Sequence, residues 1–163
     1  MEKIKINIFF ADYSLQIEKI NRAYSFLEEN NSLSSKEPIS RQLVESIGYW
    51  IHNLYCAYED LFKLVCSFWE NNINEKKHFH KKLLDRMLIS IEGVRPALIS
   101  KETYKHLDEI RGFRHVFRHA YSYGLDDERV FFLLNRVLKN KSLILNDFEN
   151  FRQNVNILIE SDH

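Results

Sequence analysis

The sequence predicts an all-α protein, an antiparallel bundle of four to six helices that forms one domain over residues 1–163. The chain contains only four glycines and two prolines, which is too few chain breakers for a fold built from many tight turns. Apolar residues recur at steps of three and four along most of the chain, the period of an amphipathic helix, and no stretch shows strand-like alternation.

Composition indicates a soluble globular protein, because hydrophobic residues make up 45% of the chain and charged residues 28%. A domain of this length buries roughly 70% of its unfolded surface, which is enough for a substantial core. The 23 basic residues equal the 23 acidic residues, so no overall positive field attracts nucleic acid. Any contact with nucleic acid must therefore use a local basic patch.

Two long helices are predicted in the first half of the chain. The first extends through about Asn31, and a polar linker follows that ends at Pro38. The second, from about Ile39 to Asn72, has a wide apolar stripe and is predicted to be the central helix of the bundle. Three large aromatic residues of this stripe are interpreted as core rather than as a base-stacking platform: Trp50, Tyr58 and Phe62.

Shorter helices are predicted in the second half. One includes Leu83 and continues to Ile91, where Gly93 and Pro96 end it.

The next helix begins after Ser100, which is a typical N-cap residue, and stops near Gly124. Asp126 and Asp127 would cap a last helical region that reaches about Glu160, and residues 140–142 divide it into two helices or leave it continuous.

The cysteines and the apolar segments predict a cytoplasmic protein. Cys56 and Cys66 are ten residues apart in one predicted helix, a separation of about 15 Å that no disulfide can bridge. Unbridged thiols are typical of a reducing compartment. The apolar run at residues 8–11 is too short for a signal peptide, and no segment has the length needed to span a membrane.

Residues 111–121 carry the strongest functional signal. This segment contains three arginines, two histidines and one tyrosine in eleven positions. Arginine remains charged and binds phosphate with a planar set of donors, while histidine can exchange a proton near neutral pH. These residue types together are suited to binding and cleaving a phosphodiester.

The spacing within this segment sets a geometric problem. His115 and His119 share a helix face, but Arg114 and His119 are five residues apart and point about 140° away from each other on a regular helix. Either the backbone unwinds between them, or a second copy of the chain supplies the missing partner across a two-fold axis. The second solution requires a homodimer.

The segment from Arg114 to Tyr121 resembles the Arg-x4-His-x-Tyr signature of HepT ribonuclease toxins, which lie within the HEPN superfamily. Four residues separate Arg114 from His119, and one residue separates His119 from Tyr121. That superfamily consists of small antiparallel helical bundles in which a polar residue commonly follows the arginine, and His115 has this position. Further segments resemble HepT-like proteins in similar order: Trp50–Tyr55, Glu59–Asp60, Leu83–Leu84 and Arg95–Pro96.

The resemblance implies a metal-independent endoribonuclease toxin of a type II toxin–antitoxin pair that works as a homodimer without a cofactor. Arg114 would bind the scissile phosphate and stabilise its developing charge, and His119 would be the general base or acid. Use of the ribose 2′-hydroxyl would restrict cleavage to RNA. A partner nucleotidyltransferase antitoxin of the MNT type would transfer AMP from ATP to Tyr121. His115, Arg118 and Arg111 would supply supporting phosphate contacts.

Several residues admit simpler interpretations. His115 and His119 have the spacing of a zinc pair, but no third ligand stands at motif spacing. Arg111 and Arg118 are typical of a solvated rim with salt bridges.

The basic stretch Lys76–Lys82 is either a solvated loop or a lip that guides RNA, and its His80 lies where it could reach a site. Glu59 or Asp60 is a candidate counter-charge for an arginine inside the bundle.

Two other functions remain open at the level of sequence. The first is a non-catalytic HEPN module that binds a nucleotide or pairs with a nucleotidyltransferase. The second is plain structural dimerisation, in which the motif has no chemical role.

Overall fold

The structure is a computed structural model that describes residues 3–36, 38–70, 79–120 and 124–161. The described residues form six α-helices, and their extended pairing is limited to an isolated bridge between Ile91 and Arg95. The predicted all-α fold is confirmed, whereas the homodimer stays a prediction. The helices are α1 Lys3–Ser34, α2 Arg41–Glu70, α3 Phe79–Met87, α4 Lys101–His119, α5 Asp127–Lys139 and α6 Lys141–Ser161.

Two predicted helix starts have the expected capping interactions. The Ser100 hydroxyl accepts a hydrogen bond from the backbone N–H of Thr103, and the Asp126 carboxylate accepts one from Arg129, each at 3.2 Å. These side chains satisfy N–H groups that have no partner within the helix. Asn140 separates α5 from α6, so the last helical region is divided in two.

Several predicted helix ends were wrong by a few residues. α1 continues to Ser34, and α2 begins at Arg41, where the Ser40 hydroxyl caps the first turn. α3 ends at Met87 rather than at Ile91, because the chain turns back there to form the Ile91–Arg95 bridge.

α4 was predicted to stop near Gly124, but it ends at His119. The predicted end of the second helix, Asn72, lies outside the described residues.

α2 is the centre of the structure, as its apolar stripe predicts. It packs against α1, α3, α4 and α5, while α6 packs against α4 and α5. Trp50 is only half-buried and stacks on Phe26 of α1 with ring centroids 4.0 Å apart, so its assignment to the core was wrong in part. Fully buried residues of α2 include Ile47, Ile51, Leu54, Tyr55, Tyr58, Leu61, Phe62 and Val65.

The turn after α3 is fastened to the end of α2 by an ion pair. Arg95 is 1% exposed and donates from Nε to Oε1 of Glu70 at 2.9 Å. Its other nitrogens donate to the backbone carbonyls of Arg86, Ile89 and Pro96. An arginine satisfied in this way holds the C-terminal end of α3 against α2.

The state of the cysteines agrees with a further expectation from the sequence. Cys56 and Cys66 are both free thiols. Among the described residues, none of the helices contains an apolar segment long enough to cross a bilayer.

The pair of buried tyrosine hydroxyls between α1 and α2 gives a stability prediction. Tyr24 and Tyr58 are 0% exposed, and their hydroxyls form a hydrogen bond with each other. Replacing either one with Phe leaves the other hydroxyl buried and unpaired, which we expect to cost about 1–3 kcal/mol of unfolding free energy. Urea denaturation of both single variants measures this cost.

The double variant Tyr24→Phe/Tyr58→Phe is the control. It leaves no unpaired hydroxyl, so its loss should be smaller than the sum of the single losses. Additive losses would contradict a coupled pair.

Candidate functional site

Arg114 and His119 lie on the last two turns of α4, and every residue between them is α-helical. α4 continues to His119, and the backbone N–H of Ala120 bonds to the carbonyl of Phe117 at 3.3 Å. The backbone therefore does not unwind between Arg114 and His119. Residues five apart on a regular helix diverge by about 140°, so one copy of the chain does not direct both side chains at a single phosphate.

Arg114 is directed into the bundle rather than into solvent. Its side chain is 18% exposed, and its Nη1 lies 2.7 Å from Nε2 and 2.9 Å from Nδ1 of His80. The same Nη1 lies 3.9 Å from Oε2 of Glu59. Nδ1 of His80 in turn lies 2.6 Å from Oε1 of Glu59. These three residues, from α2, α3 and α4, form one connected group that we call the Glu59–His80–Arg114 triad.

Glu59 is the counter-charge that a buried arginine requires. Its side chain is 4% exposed, whereas neighbouring Asp60 is exposed and pairs with Lys63 at 3.4 Å. Of the two acidic residues proposed from the sequence, the structure therefore assigns the role to Glu59. Glu59 and Asp60 differ in burial because adjacent residues on a helix point about 100° apart.

His80 was left undecided by the sequence, and the structure places it at the centre of the triad. It is the second residue of α3, and its position depends on how α3 packs against α2 and α4. Its neighbour Lys81 is bonded to Asp85 and to the Tyr104 hydroxyl. Residues 76–78 of the basic stretch lie outside the described residues, so the RNA-guiding lip stays a prediction.

A second histidine, His52 of α2, lies beside the motif. Its ring stacks on Phe117 of α4 with centroids 5.2 Å apart, and its Nε2 is 3.7 Å from Sγ of Cys56. Burial lowers the pKa of His52, and the positive charges of Arg114 and Arg118 lower it further. Burial also raises the pKa of the Cys56 thiol. His52 is therefore held as a neutral ring next to the motif arginines.

Close contact between α2 and the end of α4 depends on a glycine. A Cβ atom at Gly48 would lie 2.7 Å from Cδ1 of Leu125 and 3.2 Å from the ring of Phe117. Such distances are shorter than van der Waals contact. Glycine at this position therefore leaves room against α2 for Phe117 of α4 and for Leu125.

The remaining motif residues lie toward solvent. Arg111 donates from Nε to Asp108 at 2.8 Å, in keeping with a salt-bridged rim, and Arg118 is exposed. His115 and His119 are exposed, and their ring centroids are 4.4 Å apart.

The described residues contain no group of three or more His, Cys, Asp or Glu side chains arranged to hold a metal ion. Tyr121 lies outside the described residues, so its role stays a prediction.

Three polar atoms near the triad are buried without a hydrogen-bond partner among the described residues: Nε of Arg114, the hydroxyl of Tyr55 and Nδ1 of His52. Burial raises the pKa of Tyr55, and the negative charge of Glu59 raises it further. Tyr55 is therefore a neutral donor. Unused donors beside a carboxylate and an arginine are costly to bury, and such sites are frequently functional.

The triad gives a stability prediction for Glu59. Glu59→Gln removes the counter-charge of Arg114 and weakens a charge-assisted hydrogen bond, so we expect a loss of about 1.5–3 kcal/mol in unfolding free energy. Asp60→Asn is the matched control, because its exposed ion pair contributes about 0.2–1 kcal/mol at most. Equal losses in chemical denaturation would contradict the special position of Glu59.

The lowered pKa of His52 predicts acid destabilisation. In the unfolded chain a histidine titrates near pH 6.5, whereas in the folded protein His52 takes up its proton only at lower pH. The unfolded state therefore binds more protons below about pH 6.5, and stability falls as the pH is lowered through this range. We expect His52→Gln to lose less unfolding free energy than the wild type between about pH 7 and pH 5. Parallel pH curves from chemical denaturation would contradict this.

Comparison with protein families gives a match that covers most of the site. Residues 46–155 match the family model described as HepT-like protein. No curated protein and no solved structure matches the chain. The matched region extends from α2 into α6 and includes all three residues of the triad as well as the motif of α4. The chain therefore belongs to the HepT-like protein family.

Proposed function

We propose that this chain is a metal-independent endoribonuclease, the toxin of a type II toxin–antitoxin pair. The observation that carries the proposal is the placement of Arg114. Arg114, a residue of the type that binds phosphate, lies beside a buried carboxylate and five residues from exposed His119, which can exchange protons. Membership in the HepT-like family supports the same assignment.

The proposed reaction is transesterification within RNA. The ribose 2′-oxygen attacks the adjacent phosphorus, the bond from phosphorus to the 5′-oxygen breaks, and the products are a cyclic phosphate and a 5′-hydroxyl. One proton leaves the 2′-oxygen and one reaches the 5′-oxygen. Arg114 would stabilise the charge on the phosphate oxygens, and His119 would carry one of the two protons. DNA lacks the attacking hydroxyl.

The regular helix makes a composite site the natural arrangement. Arg114 faces the inside of its own bundle and His119 faces solvent, so a two-fold axis would bring Arg114 of one copy toward His119 of another. Exposed His115 and Arg118, together with the Asp108-paired Arg111, would form the rim of the cleft and contribute positive charge along the RNA backbone.

Regulation is proposed to act at Tyr121, two residues beyond His119. A nucleotidyltransferase antitoxin of the MNT type would use ATP to attach AMP to its hydroxyl. The adduct would place a bulky anion beside the arginine, where it would exclude the RNA phosphate by size and by charge.

A second function is favoured by the burial of Arg114. With Nη1 bonded to His80 and Nε enclosed, the guanidinium is largely engaged within its own chain. That arrangement suits a non-catalytic HEPN module that binds a nucleotide or a nucleotidyltransferase. Copurification with the transferase and intact RNA after prolonged incubation would favour this module.

Cleavage of RNA in the presence of a chelator tests the leading proposal. We expect wild-type protein to cleave, and we expect Arg114→Ala and His119→Ala each to lose at least about 10²-fold in rate. The control is Arg22→Ala, which should retain activity. Arg22 lies on α1, and this helix packs against α2 and α5. Intact RNA with the wild-type protein would contradict the proposal.

Mixing the two inactive variants tests the composite site. If Arg114 and His119 come from different copies, a mixed dimer has one complete site. Random exchange should then restore about one quarter of the wild-type activity. If both residues act within one copy, no activity returns.

A further inference from the structure

We infer that His80 is a positioning residue for Arg114. As a neutral imidazole, it donates from Nδ1 to Glu59 and accepts at Nε2 from Arg114, and so fixes the guanidinium at the junction of α2, α3 and α4. The hydrogen bonds belong to the folded protein itself, while the kinetic consequence rests on the proposed nuclease function.

The protonation state of His80 follows from its two partners. A carboxylate only accepts hydrogen bonds, so the 2.6 Å contact with Glu59 requires a proton on Nδ1. A guanidinium only donates, and Nη1 of Arg114 lies within reach of both ring nitrogens, 2.7 Å from Nε2 and 2.9 Å from Nδ1. Because Nδ1 carries the proton that is donated to Glu59, Nε2 is the nitrogen whose lone pair accepts from Arg114. The ring is therefore neutral and carries its proton on Nδ1.

A charged ring does not fit this position. An imidazolium would have no acceptor for Arg114 and would place a second positive charge at hydrogen-bond distance from the first. Phe79 lies edge-on to the ring at 5.8 Å and carries no charge. The carboxylate in contact with the ring is Glu59, whose single negative charge already balances that of Arg114.

His80 also keeps Glu59 from forming a direct bidentate ion pair with Arg114. Nη1 of Arg114 is 3.9 Å from Oε2 of Glu59, which is beyond hydrogen-bond distance. A direct bidentate pair would use the same planar set of donors that a phosphate needs. With His80 between them, Glu59 balances the charge of Arg114 while the hydrogen bond that orients the guanidinium comes from a neutral group.

Position matters because Arg114 has to meet a phosphate held by groups on another part of the site. Misplacement of a catalytic group by about 1 Å can cost about 10²-fold in rate. His80 is 40% exposed, so it lies at the open side of the triad, where it can set the orientation of Arg114 as substrate arrives. Loss of His80 should therefore lower kcat more than it raises KM.

The first test does not depend on activity. Two-bond proton–nitrogen NMR spectra of the labelled full chain at about pH 7.5 report the tautomer of each histidine. We expect His80 to be protonated on Nδ1 and unprotonated on Nε2. A charged ring, or a proton on Nε2, would overturn the inference.

The second test compares two variants of His80. Gln can donate to Glu59 and accept from Arg114, whereas Leu can do neither. In the wild type and in His80→Gln, the Nη resonances of Arg114 should show slowed rotation of the guanidinium. His80→Leu should lose this signature. An unchanged Arg114 spectrum in His80→Leu would overturn the inference even if the chain has no nuclease activity.

The third test is kinetic and uses a fluorescent single-stranded RNA oligonucleotide. We expect His80→Leu to lose about 10–10²-fold in kcat with KM changed by less than about threefold, and His80→Gln to recover to within about threefold of wild type. Equal loss in both variants, or none in either, would overturn the positioning role. If wild-type protein does not cleave RNA, the proposed function fails, and the two NMR measurements alone decide the role of His80.

Discussion

A permanently charged guanidinium between three helices must have its charge balanced nearby, and this requirement organises the site. Arginine does not lose its proton in proteins, so Arg114 cannot escape the cost of burial by becoming neutral. Glu59 supplies the balancing charge from α2, and His80 supplies the hydrogen bond from α3. The packing of the three helices and the proposed chemistry of the motif therefore both depend on the side chain of Arg114.

The regular course of α4 explains why the motif divides its residues between two environments. Arg114 lies on the face that packs against α2 and α3, while His115, Arg118 and His119 lie on the exposed part of the helix. The inner face supplies rigidity, because its groups are held by packing and hydrogen bonds. The outer face supplies accessible groups. The proposed composite site would take the two kinds of group from two copies of this helix.

The sequence was sufficient for the features that depend on local chemistry. The helical period of α2 and the capping residues Ser100 and Asp126 are properties of short segments, and each was confirmed. The sequence limited the counter-charge of the buried arginine to Glu59 or Asp60, because a buried cation needs a nearby carboxylate. The structure shows that this residue is Glu59.

Features that depend on contacts between distant segments could not be predicted in this way. His80 enters the site only because α3 packs against both α2 and α4, and no spacing in the sequence encodes that contact. α3 ends early because Ile91 pairs with Arg95 across a turn. The sequence does not show that Gly48 lies at a close contact, because this depends on the positions of the side chains of Leu125 and Phe117.

The fastening of α3 at both ends has a consequence for the site. At its C-terminal end Arg95 and Arg86 hold Glu70 of α2, and at its N-terminal end His80 holds Glu59 of the same helix. A nine-residue helix attached at two points along α2 is held in register with that helix. The position of the imidazole ring of His80 therefore depends in part on the Arg95–Glu70 pair beyond the far end of α3.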